Sequence, residues 1–177
     1  MTFLMTIVAT LVVLIVGDFL STFAYHVPQH LWFTLHLRTH HDRRRSYFDH
    51  AILSLDPAVL LDGVLGALPY LGVAAFVWHV SPVGALLGLA LGQLHVWWRH
   101  TVELGWKTPA WLVAIARPLQ IVLPEDHNGH HLNPDVEFGD LFRFYDAPAR
   151  FCLRFVRADR RRRRQALRRL KGESVKA

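Results

Sequence analysis

The chain is short of charge, of cysteine and, over its first part, of any basic residue. Only 19% of its 177 residues are Asp, Glu, Lys or Arg, against 52% that are apolar. That balance excludes a disordered or collagen-like chain and suggests one domain. A single cysteine, Cys152, excludes a disulfide framework and any zinc module built on cysteine pairs. No Lys or Arg precedes Arg38. The apolar start therefore lacks the positive region of a signal peptide and reads as a retained span. The formal charge of +6 is unevenly placed. Twelve of the twenty bases lie from Arg150 onward beside two acids, Asp159 and Glu173, which leaves residues 1–149 net negative. The basicity thus belongs to a tail, 150–177, behind a domain covering 1–149. This argues against a nucleic-acid-binding face. It suits anionic lipid headgroups, where each Lys or Arg contributes about 1 kcal/mol.

What the chain has in quantity is long apolar runs. Residues 1–24 carry one charge, Asp18. At about 1.5 Å per residue they can cross a hydrocarbon core of about 30 Å. Residues 57–98 are too long for one span and fit two, separated at Ser81-Pro82. The expected helices are 57–79 and 82–99, with Gly88 and Gly92 four apart to admit a close neighbour. Residues 111–124 are apolar but short and contain Arg117-Pro118, which predicts an interfacial or re-entrant helix. The expected fold is all-α, with about three transmembrane helices and a cytoplasmic helical cap. Arg38, Arg43, Arg44 and Arg45 fall between the first two spans, and Arg99, Lys107, Arg117 and the tail follow the third. The positive-inside rule then puts the N-terminus outside, and the 26–56 loop and everything after 99 in the cytoplasm.

Twelve histidines are the second excess. Eight form three groups: His26 and His30 in HVPQH, His36, His40 and His41 in HLRTHH, and His127, His130 and His131 in HNGHH. A further pair, His95 and His100, ends the third span in HVWWRH. Each group falls at a cytoplasmic boundary, although histidine was not used to draw the spans. Residues three or four apart share a helix face, so neighbouring rings can grip one cation, and HH doublets can serve two. Imidazole suits Zn, Cu, Fe and Ni. Eight to ten rings exceed the needs of one ion and fit two. Asp18, Thr22 and His26 step by four, which places Asp18 to orient His26 from behind. His50 and His79 read as solvated or structural. His95 and His100 stand about 140° apart on an ideal helix. His100 is the surer ligand; His95 ligates only where the helix is distorted, and otherwise faces a channel or a neighbouring helix.

The order HxxxH, HxxxHH, HxxHH on a small multi-span chain resembles the fatty acid hydroxylase/sterol desaturase superfamily, from Asp18 to about Pro148. DFLSTFAYHVPQH is similar to that family's opening helix and first box, PEDHNGHH to its last box, and PDVEFGDLFRFYD to the stretch closing its cap. The short length and HVWWRH resemble the bacterial carotenoid hydroxylases. The resemblance implies two iron ions bound almost wholly by histidine, O2 as co-substrate, and hydroxylation or desaturation of a lipid such as a fatty acid, sterol or carotenoid. It implies as ligands His26, His30, His36, His40, His41, His100, His127, His130 and His131, with His95 left open. It also implies an electron donor such as a ferredoxin, a cytochrome b5-like protein or a reductase. A purified sample could carry Zn in place of iron.

Other classes explain less. A haem needs only two axial ligands and leaves the doublets unused. A transporter would place its ligands near the bilayer midplane, where only Asp18 and Asp62 are acidic candidates. A zinc hydrolase of the HExxH kind needs a glutamate that no box contains.

Overall fold

The computed structural model describes residues 2–42 and 55–170. The expectations for Arg43, Arg44, Arg45, His50 and the tail beyond Leu170 lie outside the described residues. Among the described residues the fold is all-helical, with one isolated bridge between Ile121 and Phe142.

The chain opens with α1 (Phe3–Leu20), capped by Thr2, which accepts from the Met5 N–H. A π-helical turn (Ser21–His26) and α2 (Val27–Leu31) follow without a break. Pro28 has no N–H to donate, and the widened turn lies just where that bond would be missing. The short helix α3 (Leu35–Thr39) then carries His36, and His40 and His41 follow in the turn after it. Next come α4 (Pro57–Val77) and α5 (Pro82–Arg99). Asp56 caps α4 and Ser81 caps α5, each followed by proline at the first helical position. The hairpin expected from Ser81-Pro82 is present, with α4 ending two residues early.

Two helices are long and apolar enough to cross a membrane: the continuous Phe3–Leu31, and Pro57–Val77. The helix α5 is 18 residues long but carries Gln93, His95 and Arg99 near its end. Outward positions such as Leu4, Leu11, Leu68, Leu87 and Leu94 are exposed. Exposed apolar side chains in this number suit an apolar surrounding. Inside, Ala9, Val13, Val73, Ala74, Val77 and Ala85 form the core shared by α1, α4 and α5.

The crossing of α1 and α5 depends on glycine, though not on the expected pair. A Cβ on Gly84 would lie 2.6 Å from the Thr6 carbonyl oxygen, and one on Gly88 would lie 2.6 Å from the Val13 Cβ. Gly92 has nothing nearer than 3.9 Å and lines a cavity instead. Thr10 adds a hydroxyl bond to the Gly84 carbonyl at 3.1 Å. This is the small-residue contact by which helices approach in lipid.

The remaining chain builds a cap. The seven-residue α6 (Ala110–Ala116) stands where the short apolar run predicted a helix, and α7 (Pro124–Leu132) carries the third histidine group. The last helix, α8 (Asp146–Leu170), runs through the expected boundary at 149/150. Its first half buries Ala149 and Leu153 against Val27 and Phe138. Arg160 donates to the Leu31 carbonyl at 2.7 Å and lies 5.2 Å over the Trp32 ring. Positions 161–169 are exposed.

Gly88→Val should destabilise the helix pair by about 1–3 kcal/mol through overpacking. Gly63→Ala, where a Cβ meets nothing within 4 Å, should be neutral or stabilising. Thermal unfolding of the two variants in detergent checks the contrast, and equal losses would contradict the assigned crossing.

Candidate metal centre

Nine histidines from five segments converge. One group is His26, His30, His36, His41 and His130; the other is His40, His100, His127 and His131. Within each group the available ligand atoms lie within 4.8 Å of one another. The doublets divide between the groups: His41 and His130 face the first, His40 and His131 the second. Two ions can therefore be served from the turn that follows α3 and from one turn of α7.

Local structure explains how the rings are aimed. On α7 the side chain of Asp126 accepts from the Leu123 N–H at 3.1 Å and takes a bidentate pair from Arg117 at 2.9 and 3.1 Å. Glu125 accepts from the backbone and hydroxyl of Thr108, both at 2.8 Å. The first turn of α7 is thus clamped. His127, His130 and His131 follow at spacings that keep them on one face.

The protonation pattern can be read from the partners. A carbonyl oxygen only accepts, so a ring nitrogen bonded to it carries the proton. His26 Nδ1 meets the Phe138 carbonyl at 3.0 Å, His100 Nδ1 meets the Val96 carbonyl at 2.6 Å, and His130 Nδ1 meets the Val136 carbonyl. His36 Nδ1 donates to Asp62 at 3.1 Å. In the neutral ring each of these leaves Nε2 as a bare lone pair. Yet His26 Nε2 and His130 Nε2 are 2.9 Å apart. In the second group the Nε2 of His127 lies 3.0, 3.1 and 3.2 Å from those of His100, His131 and His40. One ring proton cannot satisfy three such contacts. The Nε2 atoms of His30 and His36 and both nitrogens of His41 are buried without a partner.

Lone pairs at these separations repel unless a cation lies between them. Nitrogens about 2.0–2.1 Å from a common metal stand about 3.0 Å apart in octahedral and about 3.4 Å apart in tetrahedral geometry. The observed separations have that size. Burial, with help from neighbouring imidazoles, keeps His40, His127 and His130 well below the usual histidine range. Burial also lowers His41 to about 3, and burial with Arg99 lowers His131 to about 4. The rings stay neutral at pH 7, the form that binds metal. These buried histidine groups could hold metal ions, and an all-nitrogen set suits Fe, Zn, Cu or Ni.

Asp18 departs from its expected role. Its carboxylate accepts from the backbone N–H groups of Asp140, Leu141 and Phe142 at 3.1, 3.2 and 2.7 Å, rather than reaching His26. The π-helical turn between Asp18 and His26 breaks the four-residue step on which that expectation rested. Asp18 instead fixes the loop that supplies the Phe138 carbonyl. Arg99 tightens the same loop by donating to the Asp140 carbonyl and carboxylate, both at 2.8 Å, and Ser21 donates to that carboxylate at 2.7 Å.

His95 also departs from the expected ligand set. Its Nε2 meets the Val122 carbonyl at 2.9 Å, so it carries a proton there, and the ring stands outside both groups. The ring lines a cavity, while α5 ends at Arg99 and His100 turns into the second group. His79 is exposed in the α4–α5 turn.

Sequence reading missed Asp62 and Tyr25 at this site. Asp62 receives the His36 Nδ1–H on one oxygen and the Tyr25 hydroxyl on the other. The available signal was an acid within an apolar span, which is costly without a partner. Asp62, His36 and His40 also form a third set of converging ligand atoms that joins the two groups. A cavity of about 500 Å³ between the π-helical turn, α4 and α5 opens onto His26, His36 and His40, with Val59, Val64, Leu71 and Leu89 among its walls.

The chain matches no family model, no curated protein and no solved structure.

Metal analysis of purified variants should separate the two groups. His41→Ala and His40→Ala should each lose about one ion of two, from different groups. His95→Ala should retain both. Asp62→Asn should weaken metal binding by about 10–100-fold, as removal of an orienting carboxylate does. Full metal content in His40→Ala, or loss in His95→Ala, would overturn the assignment.

Proposed function

We propose that the chain is a membrane-bound, histidine-ligated di-iron oxidoreductase that uses O2 to hydroxylate or desaturate a lipid. The observation that carries this reading is the contact between two nests of unprotonated imidazole nitrogens and an apolar cavity. A transporter needs a polar path, and a hydrolase needs a water-filled one; this cavity is polar beside the histidines, at Asp62, Arg99 and Asp140, and aliphatic along Val64, Leu71 and Leu89. Two iron ions would supply the oxidation of an unactivated C–H bond, which side chains cannot perform. His26, His30, His36, His41 and His130 would hold one, and His40, His100, His127 and His131 the other.

The protein's own contribution is positioning. The aliphatic walls hold a lipid chain against the edges of His26, His36 and His40 and exclude bulk water from that face. Asp62, Tyr25 and the 138–142 loop keep the rings in one tautomer. Three spans, Phe3–Leu31, α4 and α5, would cross the bilayer with the N-terminus outside and the histidines on the cytoplasmic side. Arg99, Arg117, Arg143 and the α8 arginines all occur in the segments assigned to that side, which supports the orientation. An electron donor such as a ferredoxin, a cytochrome b5-like protein or a reductase would reach the centre from the cytoplasm, and the α8 arginines would hold anionic headgroups.

Comparing lipid extracts from cells expressing the wild type and His131→Ala under 18O2 tests the reaction. A labelled alcohol or a new alkene should appear only with the wild type. The purified protein should contain iron and show no Soret band; haem, or unchanged lipids in a fully iron-loaded preparation, would sink the reading. Reporters fused at Ala177 and in the 79–82 turn should lie on opposite sides of the membrane.

A further inference from the structure

One amide, Gln93, lines the cavity beside Tyr70 and His95. Leu89, Gly92, Gln93, Val96 and Arg99 line it from α5, at spacings that place them on one helix face. The metal end is polar, with Asp62, Arg99 and Asp140 in its wall. Gln93 lies six residues before Arg99 and seven before His100, about 9–10 Å from that end by the rise of the helix.

The facing α4 wall mixes Gly66 and Ala67 with Val64, Tyr70 and Leu71, while Gly63 follows Asp62 at the metal end. Gln93 is exposed and takes no hydrogen bond from a described residue. A carboxamide in an apolar surrounding is costly unless something pairs with it. Asp62 and Arg99 have protein partners, whereas Gln93 lines the cavity without one among the described residues. Its amide both donates and accepts, so it suits a hydroxyl or a carbonyl and discriminates against plain hydrocarbon.

We propose that Gln93 hydrogen-bonds a hydroxyl or carbonyl oxygen already present on the lipid that fills this cavity. Resting on the oxygenase reading, the separation of Gln93 from the metal centre then sets the position of attack. The oxidised carbon lies about 9–10 Å from that first oxygen. Gln93 is a specificity-determining residue: it reads the oxygen and fixes the register of the chain along α5.

Binding is tested on the full chain in detergent with two named probes of equal length, hexadecane and 1-hexadecanol, by thermal shift. This readout needs neither O2 nor turnover. The alcohol should bind about tenfold more tightly than the alkane, the worth of one hydrogen bond. Gln93→Leu should abolish that preference while metal content stays at the wild-type level. Ala67→Leu, which adds bulk to the α4 wall of the cavity, should weaken both probes. An alcohol preference that survives Gln93→Leu, or the absence of binding by either probe, overturns the proposal. Mass spectrometry of oxidised lipids from expressing cells tests the spacing. A new oxygen or double bond about 9–10 Å along the chain from the existing oxygen supports it, and one at less than half that distance overturns it. An amide-dependent alcohol preference without any oxidised lipid would leave the binding site standing and sink the oxygenase reading instead.

Discussion

The Nδ1 hydrogen bonds of His26, His36, His100 and His130 govern the rest of the structure, because each settles which ring nitrogen is bare. Once Nδ1 holds the proton, Nε2 points inward with a lone pair. Two such atoms, on His26 and His130, face each other at 2.9 Å. In water this arrangement would relax by rotation or protonation. Here burial opposes protonation, and the carbonyl and carboxylate partners oppose rotation. The fold thus gathers lone pairs whose repulsion a metal ion bound between them would relieve. An ion bound there would couple metal binding to folding, since the unfolded chain has no preformed site.

That constraint explains features far from the rings. The 138–142 loop must present the Phe138 carbonyl to His26, and a loop is held only by its backbone bonds and its side-chain partners. Asp18 supplies an acceptor for three successive N–H groups, and Arg99 and Ser21 grip Asp140 from two other helices. A buried carboxylate on α1 and a buried guanidinium on α5 are each expensive alone. Joined through the loop they satisfy most of each other's polar demand, and they tie the cap to the helices below it. Glu125 and Asp126 act similarly on α7 through Thr108 and Arg117.

Much of this was legible in the sequence, for identifiable reasons. The apolar runs and Ser81-Pro82 define the hairpin because turn chemistry and hydrophobic length are local properties. The HxxxH and HxxHH spacings put rings on common faces because helical periodicity is local too. What escaped was set by tertiary contacts or by a local exception. The π-helical turn shifts the register between Asp18 and His26, and its one signal, Pro28, lies beyond the segment that it widens. The Val122 carbonyl claims His95 only after the chain has returned through α6. Gly84, not Gly92, joins Gly88 at the α1–α5 crossing because the choice depends on where α1 lies. Asp62 is found beside His36 only once α3 has folded back onto α4.

The centre and the cavity share their walls, and this links binding to metal geometry. His26, His36 and His40 hold one edge toward the ions' positions and another toward the cavity. Asp62 also lines the cavity while fixing His36, and Tyr25 lines it while fixing Asp62. A molecule filling the cavity thus packs against the carboxylate that orients a ligand. The short helix α3 has five residues, too few to be rigid by itself. Its rings are held in place from α4 and α7, so pressure on the α4 wall reaches His36 directly and, through its 4.6 Å stack with His40, reaches the second group. The occupant of the cavity and the coordination of both ions are for that reason expected to change together.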